Sequence, residues 1–196
     1  MSAENGLREP KKRAVTVFAL LILVMATVSC RGGGATPTIS GDVKTLFAQG
    51  NEYYERGDLE KAAAAFQAVL ELQPDHVGAL TNLGVVYYQL GRLEDAANQF
   101  EAGLEVNAND AELHYLLGAA RLQQGRLDEA EKNFLRAKEL KPELPEVWYG
   151  LGALYKLQGE KDKAIEAFEH FLEIGPGQDP RAMEEAKREL RELRGY

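Results

Sequence analysis

The stretch LGRLEDAANQF, residues 90–100, decides how the rest of the chain is read. A glycine follows a leucine, and a Leu/Ala/Ala/Phe set then recurs at helical spacing: Leu93, Ala96, Ala97 and Phe100. Only glycine enters the left-handed region at no steric cost, so Gly91 reads as the cap of one helix and Leu93 as the start of the next. The same phrase returns three more times. GDLEKA starts at Gly57, GRLDEA at Gly125 and GEKDKA at Gly159, so the four starts share one period of 34 residues.

On that period the chain divides into blocks 43–76, 77–110, 111–144 and 145–178. Leu-Gly recurs at Leu83-Gly84, Leu117-Gly118 and Leu151-Gly152, with Gln49-Gly50 in the first block. Tyr53, Tyr87, Arg121 and Tyr155 form the next column; Ala62, Ala96, Ala130 and Ala164 follow, then Phe66, Phe100, Phe134 and Phe168. Pro74, Pro142 and Pro176 close three blocks, and Ala108 stands in the remaining one, where NAND supplies turn chemistry instead. Leu80, Leu83 and Tyr87 mark the apolar stripe of a first helix. The small Gly84 and Ala96 let the second helix approach closely, with the rings of Tyr87 and Phe100 filling in beside them. One such pair cannot bury its apolar face alone, so the pairs are expected to stack into a curved solenoid.

The order Trp, Leu-Gly, Tyr, Ala, Phe, Pro resembles the tetratricopeptide repeat. The fourth block carries all of it: Trp148, Leu151, Gly152, Tyr155, Ala164, Phe168 and Pro176. The resemblance covers residues 43–178 and implies an all-α α-solenoid of four 34-residue helix-turn-helix repeats. Residues 179–196 read as a C-terminal capping helix. Asp179 is its expected N-cap, Pro180 its first residue, and Met183, Ala186, Leu190 and Leu193 its apolar stripe.

The chain begins differently. REPKKR precedes AVTVFALLILVMATVS, a basic segment followed by about fifteen apolar residues, the pattern of a secretory signal. Ser29 directly before Cys30, the only cysteine, resembles the lipobox of bacterial lipoproteins, although Thr27 stands where that family usually has Leu. The resemblance implies cleavage of residues 1–29 and acylation of Cys30; an uncleaved membrane anchor is the alternative, and both orient the body to the far side of the inner membrane. Residues 30–42, with the Gly-rich run RGGGATPTISGD, are then a flexible linker whose reach is on the order of 20 Å. These readings place the protein in a bacterial cell envelope, on the periplasmic or extracytoplasmic side.

Composition narrows the partners. Beyond the signal segment the chain carries 19 basic and 29 acidic residues, so its body repels phosphate backbones and nucleic acid is not an expected partner. A single cysteine forms no internal disulfide, and no Cys/His spacing indicates a metal. No Ser or Cys nucleophile stands at a recognisable spacing from a base, and the glycines are caps and packing positions rather than a phosphate loop. His114 shares the column of Leu80 and Trp148 and is expected to pack; His76 falls in a turn and His170 on the outer face of a second helix. The expectation is a protein that is not an enzyme and holds no cofactor.

In the tetratricopeptide family the first helix of each repeat lines a concave groove at its second, fifth, ninth and twelfth positions. By that resemblance the candidate groove here is Phe47, Asn51, Tyr54, Thr81, Asn82, Val85, Tyr88, Tyr115, Ala119, Leu122, Tyr149 and Ala153. The floor is aromatic and largely uncharged, with small residues along its middle, a surface suited to a peptide; the alternative is that the rings only pack between neighbouring first helices. Some family members hold a terminal carboxylate in a cationic clamp. Asn51 and Asn82 occupy its asparagine positions, but Phe47, Glu112 and Leu116 stand at its basic ones, so that activity is not expected. The resemblances together imply a membrane-tethered interaction scaffold for a peptide segment of an envelope partner, in the assembly of pilus, secretion or cell-wall machinery. Self-association as a homodimer through the groove or the cap helix is the alternative.

Overall fold

A computed structural model describes residues 41–175 and 180–195 of the chain. These residues form helices and turns only. The four blocks give α1 (Val43–Glu55) with α2 (Leu59–Leu72), α3 (Val77–Gln89) with α4 (Leu93–Val106), α5 (Ala111–Gln123) with α6 (Leu127–Leu140), and α7 (Pro145–Gln158) with α8 (Lys161–Ile174); α9 (Pro180–Arg194) follows. The signal segment, Cys30, the linker up to residue 40, Pro176 and Asp179 lie outside the described residues.

Each first helix ends as the repeat phrase requires. Gly91 takes φ 73°, with the equivalent glycines alike. Its N–H donates to Tyr88 O at 3.0 Å, and the N–H of Arg92 reaches back to Tyr87 O at 2.8 Å. That is the paired 5→2 and 6→1 bonding of a Schellman cap, and it satisfies carbonyls the helix end would otherwise orphan. The second helices stop where proline was expected to stop them, with α2 ending two residues before Pro74 and α6 two before Pro142. In the second block Asp110 caps α5 instead, its carboxylate accepting from Glu112 N at 3.0 Å and Leu113 N at 3.1 Å.

Helix pairs join through one contact made four times. Phe66, Phe100, Phe134 and Phe168 are fully buried, each with its ring against a first-helix glycine: Gly50, Gly84, Gly118 or Gly152. A methyl group at Gly118 would lie 2.7 Å from Phe134 Cδ1, and one at Gly150, on the next first helix, would lie 2.9 Å from the same ring. Phe134 is therefore held between two glycines of successive repeats. Ala62, Ala96, Ala130 and Ala164 sit beside these rings with no exposed surface.

Curvature follows from which helices touch. Successive first helices meet directly (α1 with α3, α3 with α5, α5 with α7), whereas each second helix packs on its own first helix and on the first helix of the next repeat. The first helices thus form the inner wall and the second helices spread outside it. α1 has no preceding helix among the described residues, and its columns show it: Thr45 and Glu52 are exposed where Ala79, Leu113, Val147 and Val86, Ala120, Leu154 are buried. At the other end α9 packs on α8 through Ala182, Ala186 and Leu190, with Met183 and Leu193 beside them. The capping role expected of this segment is what its packing shows.

Arg121 is the departure that sequence reading passed over. It occupies the tyrosine column yet is only 4% exposed. Its guanidinium meets Glu94 at 3.1 Å, Glu101 at 2.6 Å and Glu129 at 3.4 Å, and donates to Gln124 at 2.9 Å. It thereby ties α4, α5 and α6 together, where Tyr87 in the same column accepts a single bond from Gln67 at 2.7 Å. Such a buried cation persists because its partners are charged and close.

The glycine contacts lead to a direct test. Alanine is the better helix former by about 1 kcal/mol, yet Gly118→Ala should lower stability by about 1–3 kcal/mol in a urea melt, because Phe134 has no room to retreat. Adding Phe134→Leu should recover part of that loss. A Gly118→Ala variant as stable as the parent would show that the ring does not set the helix spacing.

Candidate peptide groove

The inner wall is made by the faces of α1, α3, α5 and α7, and all twelve predicted groove residues stand on these four helices. Their exposure is uneven. Phe47, Asn51, Tyr54, Thr81, Asn82, Val85, Tyr115 and Ala153 are partly buried, whereas Tyr88, Ala119, Leu122 and Tyr149 are buried. The rings lean outward from the groove into the phenylalanine layer. Phe47 lies 5.7 Å from Phe66, Tyr115 6.0 Å from Phe134, and Tyr149 5.7 Å from Phe168 and 5.4 Å from Phe171. Packing between neighbouring helices and lining the wall are thus combined in the same side chains.

Polar rungs join the repeats along this wall. Gln89 Nε2 donates to the Tyr54 hydroxyl and Gln123 Nε2 to the Tyr88 hydroxyl, both at 2.6 Å. Asn82 Nδ2 donates to Asn51 Oδ1 at 2.8 Å, so the two clamp-position asparagines satisfy each other. Thr81 turns its hydroxyl to Val77 O at 2.9 Å. The glutamines were not among the predicted residues. Their signal was present in the sequence, since Gln89 and Gln123 each stand 35 residues after the tyrosine they serve.

At the last repeat the wall meets α9. Lys156 pairs with Glu189, and with Glu192 at 3.1 Å. The Tyr149 phenol interacts with Glu185. These contacts commit Tyr149 and Lys156 to the cap, and the open floor runs from Phe47 to the Tyr115 region. The family positions alone do not show this, because α9 carries no repeat phrase.

The histidines also have structural work. His76 caps α3, its Nδ1 accepting from Ala79 N at 3.0 Å, and lies 4.9 Å from Phe47. His114 places Nε2 3.1 Å from Ala108 O, the same bond by which Trp148 Nε1 reaches Pro142 O at 2.7 Å one repeat later. His170, on α8, stands with its ring edge-on to Trp148 at 4.0 Å. Among the described residues no group of three or more His, Cys, Asp or Glu could hold a metal ion.

The class defined by these features is an α-solenoid of paired helices with an aromatic inner wall. Tetratricopeptide repeat models match residues 47–102, 87–145 and 145–178, and the chain belongs to that family, whose members are scaffolds for protein–protein interaction. No curated protein sequence is significantly similar to the chain. Among solved structures, MamA protein is 30% identical, with 79% of this chain and 87% of that chain covered and a TM-score of 0.65. MamA of Desulfovibrio magneticus RS-1 is 28% identical, with 70% and 78% covered at 0.65. PilF of Pseudomonas aeruginosa is 25% identical, with 79% and 70% covered at 0.68.

Burial pushes the phenols of Tyr88, Tyr115 and Tyr149 well above their ordinary pKa of 10.0, and nearby charge adds to it at the last two. Tyr54 is raised by burial too, partly offset by its bond from Gln89. A raised folded pKa means that the native state keeps its protons longer. The stabilisation is complete below the unfolded value near 10.0 and is lost as pH rises beyond it. In an alkaline titration followed by near-ultraviolet absorbance, a late fraction of phenols should ionise together with unfolding. Tyr88→Phe and Tyr115→Phe should each shrink that fraction. Ionisation of every tyrosine before any loss of helicity would contradict the burial of these rings.

Proposed function

We infer that this protein is a non-catalytic scaffold whose inner wall takes an extended or helical segment of another cell-envelope protein. The observation that carries the reading is the run of partly exposed side chains from Phe47 and Asn51 through Tyr54, Thr81 and Val85 to Tyr115. Their buried edges are fixed by packing and by the glutamine rungs, so the wall is preformed and ordering it on binding costs little. Tyrosine and phenylalanine offer large contact area for few rotatable bonds. A photo-crosslinker replacing Tyr115 in the full chain should capture one partner protein in cells. Recovery of nothing beyond background would remove the scaffold reading, and recovery of the chain itself would replace it with self-association.

The tether completes the proposal. Among the described residues no helix is long and apolar enough to cross a membrane. Independently of that, the basic-then-apolar N-terminal pattern supports attachment through that segment, with Cys30 acylated, residues 1–29 removed, and the glycines after Cys30 as slack between membrane and solenoid. Intact-mass measurement of the membrane-extracted protein should give a chain starting at Cys30 with added acyl mass. A full-length unmodified chain would exclude acylation and leave the uncleaved anchor.

A further inference from the structure

Three phenols on the open floor keep a proton that no neighbour accepts. Tyr54 accepts from Gln89 and Tyr88 from Gln123, so each oxygen serves as an acceptor while its own O–H still has a bond to donate. Gln89 and Gln123 are both exposed, which puts these bonds at the rim of the wall. The Tyr115 hydroxyl has no hydrogen-bond partner among the described residues, and it is not sealed from solvent. Asn51 and Asn82 use one N–H and one carbonyl on each other, which leaves the second N–H of Asn82 and both of Asn51 unused. None of the candidate residues from Phe47 to Tyr115 carries a charge. The floor is thus a neutral surface rich in donors, and it calls for a ligand rich in acceptors.

Backbone carbonyls are the acceptors every peptide has, but an α-helix already uses them internally. Extended chains leave them open, and spacing chooses among the extended forms. Tyr54 and Tyr88 hold the same position on α1 and α3, 34 residues apart, and those two helices touch. Packed helices run about 8–10 Å apart, axis to axis. A polyproline II chain rises about 3.1 Å per residue with three residues per turn, so one face returns roughly every 9 Å. A β-strand returns a face roughly every 7 Å, out of step with the helices. Proline rings also suit aromatic faces, and Phe47, Tyr54 and Tyr115 are each partly exposed. Charged side chains find no counter-ion on this floor.

Resting on the groove reading above and deepening it, we propose that the open floor between Phe47 and Tyr115 takes an uncharged, proline-rich segment of the partner in polyproline II form. Carbonyls three residues apart accept from the hydroxyls of Tyr54 and Tyr88, and Tyr115 serves a carbonyl farther along. The proline rings between them lie against the partly exposed faces of Phe47, Tyr54 and Tyr115. Such a segment arrives already extended, so little chain entropy is lost when it docks.

The probe is a phage-displayed library of random dodecapeptides, selected on the full-length chain in detergent. Selected peptides should carry prolines at intervals of three and few charges. Replacing those prolines by alanine keeps every carbonyl and should weaken binding about tenfold, through lost preorganisation. Tyr54→Phe and Tyr88→Phe keep the ring and remove one hydroxyl, so each should bind a selected peptide about three- to tenfold more weakly, the loss of one hydrogen bond. Their thermal melts should stay near the parent's, because the exposed Gln89 and Gln123 turn to water instead. Peptides selected without proline, or bound with full affinity by both Phe variants, would overturn this inference and leave the scaffold reading standing. Apolar residues seven apart in place of prolines would make a helix the occupant, with the same consequence. A library that yields no binder would overturn both readings. A dimer in light scattering that Tyr54→Glu dissociates would make a second copy the occupant and overturn the partner assigned here.

Discussion

A phenylalanine ring resting on a glycine backbone, repeated every 34 residues, is the constraint on which the rest of this solenoid depends. With no Cβ at Gly118 or its equivalents, the second helix comes close enough for its ring to be sealed completely. Gly150 extends the same device to the next repeat, so Phe134 couples two helix pairs as well as closing one. Close packing of this kind tolerates little change in volume. The Schellman caps set where each turn begins, and the glycine contact sets how far apart the helices then run.

That spacing has a consequence for the wall. First helices touch one another while second helices lie outside, so the rings of Tyr88, Tyr115 and Tyr149 serve two surfaces at once. The rings of Tyr115 and Tyr149 pack on the phenylalanine layer. The Tyr88 hydroxyl is held by Gln123, and that of Tyr149 meets Glu185 of α9. Rigid aromatic surface of this sort binds without a large ordering cost, which is why a repeat with no reactive group can still be specific. The net charge of −8 disfavours nucleic acid, while the wall itself is largely uncharged.

Most of the fold was legible because each repeat states its own rules locally. Gly91 announces a cap, Leu93 to Phe100 announce a helix face, and Pro74 or Pro142 announces its end. The candidate wall was legible only as positions. The uneven exposure along it, the burial of Tyr88 and Tyr149, and the closure of the last repeat by α9 were not. Arg121 shows why. By column it is a tyrosine substitute, and nothing in its neighbours along the chain says that Glu94, Glu101 and Glu129 converge on it from two other helices.

The sequence by itself determined the helix pairs, their order, the period and the cap, because those depend on residues within a few turns of one another. It also holds the signal-like segment and Cys30, whose reading is a matter of composition and order. The tertiary structure alone decided which side chains share an environment across repeats. The glutamine rungs, the buried guanidinium and the ring of His170 against Trp148 all arise between segments about 20 to 40 residues apart. Periodicity carries no information about which polar atom in one turn will meet which in another.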